Sequence, residues 1–182
     1  MKNDYETILF TQEQIAQRVK ELGAQITEDY SGRKPILLGI LKGCFVFQAD
    51  LARSIDLECE IRFVQVSSYG FLSVSSGNVK IGNELDFEIK GKDILLIEDI
   101  LDSGFTLTAL QNLIMRHSPG SLKICTLLDK PSRRKVPVEA QYVGFECPDE
   151  FVIGYGLDYA EKYRNLPFVA VLKHEIYTTE NN

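Results

Sequence analysis

An open, mostly parallel α/β sheet flanked by helices is the fold class that the sequence predicts, and three observations predict it. Short apolar runs alternate with segments of helical period, as at Ile36–Leu41, Asp93–Glu98 and Leu122–Leu128. Several of these runs end in a polar pair: Lys42-Gly43, Glu98-Asp99 and Asp129-Lys130. A chain of 182 residues, 45% of them hydrophobic, has room for one substantial core and little for a second domain. In a parallel sheet the polar ends share one edge, so one cleft is expected to collect them.

Thr11-Gln12-Glu13-Gln14 has the form of a capping box, and Ile15, Val19, Leu22 and Ile26 follow on one helical face. Pro35 introduces Ile36-Leu37-Leu38-Gly39-Ile40-Leu41, a continuous apolar run that reads as a central buried strand. Phe45, Phe47, Leu51 and Ile55 among polar residues predict a helix, and Glu60–Ser67 returns to strand alternation. Ser68–Gly77 is rich in Ser, Gly and Tyr without periodicity, a composition that suits either a plain connection or a lid. Val79–Ile81 and Leu85–Ile89 are predicted edge strands about a turn at Gly82-Asn83. After Gly91-Lys92 comes the strand Asp93–Glu98, then helical spacing through Leu107, Leu110, Leu113 and Ile114 that closes at Ser118-Pro119-Gly120. Leu122–Leu128 is a further strand, and Tyr142–Phe145, Phe151–Tyr155 and Phe168–Leu172 are three short apolar runs.

A formal charge of −6 argues against broad binding of nucleic acid or an anionic membrane. The local basic patch Lys130-Pro131-Ser132-Arg133-Arg134-Lys135 reads either as a solvated loop or as a phosphate-facing one. Cys44, Cys59, Cys125 and Cys147 lack C-x-x-C pairing and histidines at ligand spacing, which disfavours zinc and predicts reduced, mostly buried thiols. The N-terminus MKNDYETILF has no cleavage pattern and no run of 18 apolar residues occurs, so a cytoplasmic protein is expected.

The chemistry concentrates in Leu95–Thr108, where a strand runs into Glu98, Asp99 and Asp102 and then a Ser103-Gly104-Phe105-Thr106 turn opening a helix. Backbone N–H groups and hydroxyls at such a turn suit a phosphate at the positive end of the helix dipole. Three carboxylates beside that cradle would repel the anion unless a divalent cation or sugar hydroxyls engage them. A phosphorylated sugar handled with magnesium is the reading that resolves the conflict. The P-loop pattern is absent, Gly154-Tyr155-Gly156 lacks the third glycine of a dinucleotide fingerprint, and His117 and His174 belong to no catalytic set.

LLIEDILDSGFT closely resembles the phosphoribosyl-pyrophosphate motif of the type I phosphoribosyltransferases. The wider chain resembles the purine-salvage members that act on hypoxanthine and guanine. The matching blocks are LLGILKG at Leu37–Gly43, SSYG at Ser67–Gly70, the motif itself, LLDKPSRR at Leu127–Arg134 and PDEFVIGYGLDYAEKYRNLP at Pro148–Pro167. They stand in the family's order and cover most of residues 35–172. The resemblance implies a single type I phosphoribosyltransferase domain over residues 1–182, with a small hood lobe from the terminal segments and a flexible lid at about 68–80. It implies transfer of phosphoribosyl to N9 of hypoxanthine or guanine through an oxocarbenium-like transition state, giving IMP or GMP and pyrophosphate.

The same resemblance assigns roles residue by residue. Ser103, Gly104, Phe105 and Thr106 would hold the 5-phosphate, Phe105 through its amide, although its ring stands where smaller or basic residues are frequent. Glu98 and Asp99 would take the ribose hydroxyls and Mg2+, and Asp102 would face N7 of the purine as proton acceptor or relay. Lys42 and Gly43 would contact pyrophosphate through the backbone, across a cis peptide after Leu41. Lys130 would donate to the 6-oxo group, Phe151 would stack on the base and Val152 would meet the ring edge. Asp158 would bind a second Mg2+, Arg164 would reach pyrophosphate, and Ser68 and Tyr69 would tip a lid whose Phe71-Leu72-Ser73 is more apolar than expected. The partners implied are phosphoribosyl pyrophosphate and 6-oxopurines, without nucleic acid or membrane, in a homodimer or homotetramer.

Overall fold

The computed structural model describes residues 3–66, 85 and 87–178. Five strands form one parallel sheet: β2 (Ile36–Leu41), β3 (Glu60–Gln65), β4 (Asp93–Leu101), β5 (Ser121–Asp129) and β6 (Tyr142–Glu146), in the order β3-β2-β4-β5-β6. Helices α1 (Gln12–Asp29) and α2 (Phe45–Ser54) cover one face and α3 (Phe105–Arg116) the other.

β4 reads as an almost unbroken apolar run because both its faces are buried. Leu95 and Ile97 pack with α1 and α2, while Ile94 and Leu96 pack with α3. α1 begins where the capping box predicts: Gln14 N–H donates to Thr11 Oγ1 (3.3 Å) and Thr11 N–H to Gln14 Oε1 (2.8 Å). Its Ile15, Val19, Leu22 and Ile26 form the buried stripe. The chain passes from β2 outward to β3 and then returns to the other side of β2 as β4. The strand order therefore reverses between β2 and β4, and a crevice opens outside their carboxyl ends.

A second, antiparallel sheet joins β1 (Tyr5–Phe10), β8 (Val169–Leu172) and β7 (Val152–Ile153), in the order β1-β8-β7. It is followed by a short helix, α4 (His174–Thr178). Ile153, Tyr163 and Leu172 form its small core. β1 is not among the predicted strands, because its half-exposed residues become a strand only through pairing with β8 at the far end of the chain. The predicted run Phe151–Tyr155 is shortened to Val152–Ile153, since Gly154, Tyr155 and Gly156 all adopt positive φ and turn the backbone out of the sheet. The edge strand expected at Leu85–Ile89 is also corrected: its described residues are irregular and act as plugs, with Ile89 buried and Leu85 and Phe87 packed against the α3-side core. Val79–Ile81 and the segment Ser68–Gly77 lie outside the described residues.

The four cysteines are free thiols; Cys44, Cys125 and Cys147 are buried and Cys59 is partly so. Among the described residues no helix is long and apolar enough to cross a membrane.

Candidate active site

At the carboxyl ends of β2 and β4 lies a cleft of about 600 Å³. It gathers Lys42, Gly43, Glu98, Asp99, Asp102, Ser103, Gly104, Thr106, Asp158 and Arg164, residues that the sequence draws from separate blocks. Gln65, Val66 and Glu161, which sequence reasoning did not single out, complete much of its lining together with Leu41. Ser68 and Tyr69 lie outside the described residues. Lys130, Phe151, Val152 and Phe105 do not line this cleft, and Phe105 turns its ring to solvent.

The turn between β4 and α3 is built to leave donors free. Gly104 is the N-cap of α3 at φ 87°, and no side chain caps the helix. The first-turn N–H groups of α3 therefore have no helical acceptor and point into the turn. Glycine is required twice over, by its left-handed φ and because a Cβ would stand 2.4 Å from Val138 Cγ1.

Behind this turn sits the basic patch, an exposed loop at Pro131–Arg133 and Lys135, as one of its expected readings has it, but with Arg134 turned inward. Arg134 donates to Asp102 O (Nε, 3.0 Å), to Leu101 O (Nη2, 3.3 Å) and to Val138 O, and it pairs with Asp129. Lys135 N–H adds a bond to Ser103 O at 2.9 Å. Arg133 pairs with Asp149 and reaches within 3.9 Å of Asp102 Oδ2. The guanidinium forks thus satisfy the carbonyls and acids of the turn from the protein side, and leave its amide side to the cleft.

Glu98 is buried and Asp99 beside it half-buried. Asp99 N–H donates to Glu98 Oε1 at 3.2 Å and Ile100 N–H to Asp99 Oδ1 at 2.8 Å. Burial pushes both carboxyls above the ordinary range, and the neighbouring Asp99 raises Glu98 further. Two carboxyls that resist ionisation invite either a shared proton or a cation. Among the described residues no group of three or more His, Cys, Asp or Glu is placed to hold a metal. A pair alone suits magnesium, which keeps water and substrate oxygens in most of its coordination sites. Asp158 stands differently, with its oxygens engaged by Arg164 Nη2 (2.8 Å) and Glu161 N–H (2.8 Å).

Gly43 is pressed between the two lobes. A Cβ there would fall 1.5 Å from Asp99 Oδ2, and a Cβ on Gly156, itself at φ 103°, would fall 2.1 Å from Gly43 O. The peptide Leu41-Lys42 is cis, as the resemblance implies. From the far side, Lys42 Nζ meets Glu161 Oε1 at 3.1 Å, and Arg164 donates to Gly156 O at 2.8 Å.

Asp102 Oδ1 is buried without a hydrogen-bond partner, which leaves an acceptor for a group brought by a ligand. Next to it, Lys130 is buried; its N–H donates to Leu101 O at 2.9 Å and its Nζ to Glu150 O. Phe151 stacks on Tyr177 of α4, with centroids 5.1 Å apart, and meets the edge of Tyr159 at 5.6 Å.

Residues 6–160 match the model of the phosphoribosyl transferase domain. The chain is 54% identical over 177 residues to the hypoxanthine-guanine phosphoribosyltransferase of Bacillus subtilis, covering 97% of this chain and 98% of that one. It is 50% identical over 178 residues to a bifunctional TilS/HprT protein of Listeria innocua, and spans 28% of that relative's length. A crystal structure of a hypoxanthine phosphoribosyltransferase from Staphylococcus aureus superimposes with a TM-score of 0.93 at 50% identity, covering 97% of this chain and 96% of that chain.

Proposed function

The chain belongs to the phosphoribosyltransferase family, and from that membership we propose that it moves the 5-phosphoribosyl group from phosphoribosyl pyrophosphate to N9 of hypoxanthine and guanine, a pentosyl transfer of purine salvage. The observation that carries this reading is the adjacency of an uncapped, glycine-opened helix start and an acid pair at the end of one strand. The first suits a phosphate and the second a sugar with its cation.

In this reading the Ser103–Thr106 turn receives the 5-phosphate through backbone N–H groups, with Phe105 contributing only its amide. Glu98 and Asp99 accept from the ribose hydroxyls and hold Mg2+. When bound, the ion neutralises charge on the departing pyrophosphate. Lys42, Gly43 and Arg164 receive that pyrophosphate, and Asp158 would hold a second Mg2+ beside it once its present partners release it. Asp102 takes the proton of the purine at N7 through the buried oxygen that now lacks a partner. Lys130 meets the 6-oxo group, Phe151 supplies a stacking face and Val152 the backbone beside it. Ser68 and Tyr69, on a lid at about 68–80, close over the sugar and exclude water, so that the cationic transition state is captured by the base.

The assembly proposed is a homodimer or homotetramer, in the cytoplasm, where thiols such as these stay reduced. The enzymatic reading is tested by incubating the purified protein with phosphoribosyl pyrophosphate, magnesium and each of hypoxanthine, guanine, xanthine and adenine. Nucleotide is expected with hypoxanthine and guanine, and no turnover with any base would overturn the reading.

A further inference from the structure

We propose that Glu161 is an internal stand-in for the pyrophosphate anion, holding the two cations of the cleft until the substrate displaces it. The inference rests on the phosphoribosyl-transfer reading of the cleft. Glu161 Oε1 lies 3.1 Å from Lys42 Nζ and 3.5 Å from Arg164 Nη2, so a single carboxylate oxygen bridges a cation from each wall. Lys42 follows β2 of the parallel sheet, whereas Arg164 belongs to the loop that returns toward β8. Without Glu161, Lys42 loses its partner while Arg164 keeps Asp158 at 2.8 Å, so the Lys42 charge is left unbalanced beside Arg164, and such a site selects an anion with several oxygens.

Two features make the carboxylate replaceable. Lys42 and Glu161 have side chains 57% and 65% exposed, and ion pairs in that much water are weak. Glu161 N–H is bonded to Asp158 Oδ2 at 2.8 Å, so the backbone is anchored independently of the carboxylate and the side chain can swing away while the loop stays in place. A third feature shows that the carboxylate is an incomplete ligand. Arg164 Nε is buried without a hydrogen-bond partner, a donor that Glu161 does not satisfy.

The test is calorimetric titration of inorganic pyrophosphate with magnesium into the wild-type protein, Glu161→Gln and Glu58→Gln, at low and at high salt. Glu58→Gln changes the net charge equally at the amino-terminal ends of the strands, where Glu58 pairs with Lys34. Glu161→Gln is expected to bind pyrophosphate about three- to tenfold more tightly than wild type at low salt, with the gain shrinking at high salt and Glu58→Gln unchanged. Equal or weaker binding by Glu161→Gln would overturn the inference alone, since Glu161 would then position the cations instead of competing for them. The same gain in Glu58→Gln would also overturn it, by reducing the effect to net charge. Failure of wild type to bind pyrophosphate at all would overturn the functional reading together with it.

Discussion

The two ends of the cleft are charged in opposite ways and finished to different degrees. At the α3 end, the turn from Leu101 to Thr106 is held from behind: its carbonyls are bonded by Arg134 and Lys135 N–H, and no side chain caps the helix that follows. At the other end, Glu98 and Asp99 crowd two carboxyls into one place, and Lys42, Arg164, Asp158 and Glu161 neutralise one another. The first end binds by being rigid. The second must exchange the ion pairs of Lys42 and Arg164, because in the proposed reaction these are groups that a diphosphate would claim. In the proposed reaction, preorganisation would serve the phosphate that remains with the product, and exchange would be reserved for the leaving group.

The most direct way to break this contrast is Arg134→Ala. It removes the bonds that shape the turn and leaves the Leu101, Asp102 and Val138 carbonyls without that donor. A fall of about 100-fold in kcat/KM for phosphoribosyl pyrophosphate is expected, with a loss of about 2–3 kcal/mol of stability. Steady-state kinetics and denaturant unfolding measure the two, and an active variant of normal KM would show that the turn holds itself. Gly104→Ala is a milder perturbation of the same end. Its methyl meets Val138 and its backbone is held at positive φ, so KM for phosphoribosyl pyrophosphate is expected to rise about tenfold, at a stability cost of about 1–2 kcal/mol.

The opposite end is sharpened by pH. Because burial raises the acid pair, the folded chain binds a proton more tightly than the unfolded one. That contribution is fully present below the usual Glu value of 4.5 and is lost as pH rises through the raised folded value. In metal-free protein, Glu98→Gln is therefore expected to raise the melting temperature at pH 8 by about 2–4 °C and to flatten its decline with pH, since each tenfold difference in proton affinity between the folded and unfolded chain is worth about 1.4 kcal/mol. Magnesium should restore stability to wild type and do little for the variant. An identical pH dependence in both proteins would place the penalty elsewhere.

Much of this division is legible in the sequence, for physical reasons that differ by position. β4 announces itself because a strand buried on both faces is apolar at every step until its carboxyl end, where Glu98-Asp99 breaks the run. α1 announces itself through a capping box that is complete within four residues. β1 and the roles of Arg134 and Glu161 are not local properties. Arg134 reads as one more charge in a basic loop until the chain brings Leu101 and Asp102 beneath it, and Glu161 reads as solvated until Lys42 arrives from a distant strand. The signal that marks both is weak: each lies in a block that also carries site residues, beside acids or bases of opposite sign.

Gly43 and Gly156 meet back to back where the parallel sheet touches the loop that carries Arg164, and neither leaves room for a methyl group. This contact sets what heritable variation can do. Adding even one carbon at Gly156 drives it into the carbonyl of Gly43, which already lies against the carboxylate of Asp99. The spacing between the two walls is therefore closed to gradual adjustment, since no series of small side chains leads from one width to another. New selectivity for a base or a leaving group has to be acquired around this contact, while the glycine pair stays fixed as the ruler from which the cleft is measured.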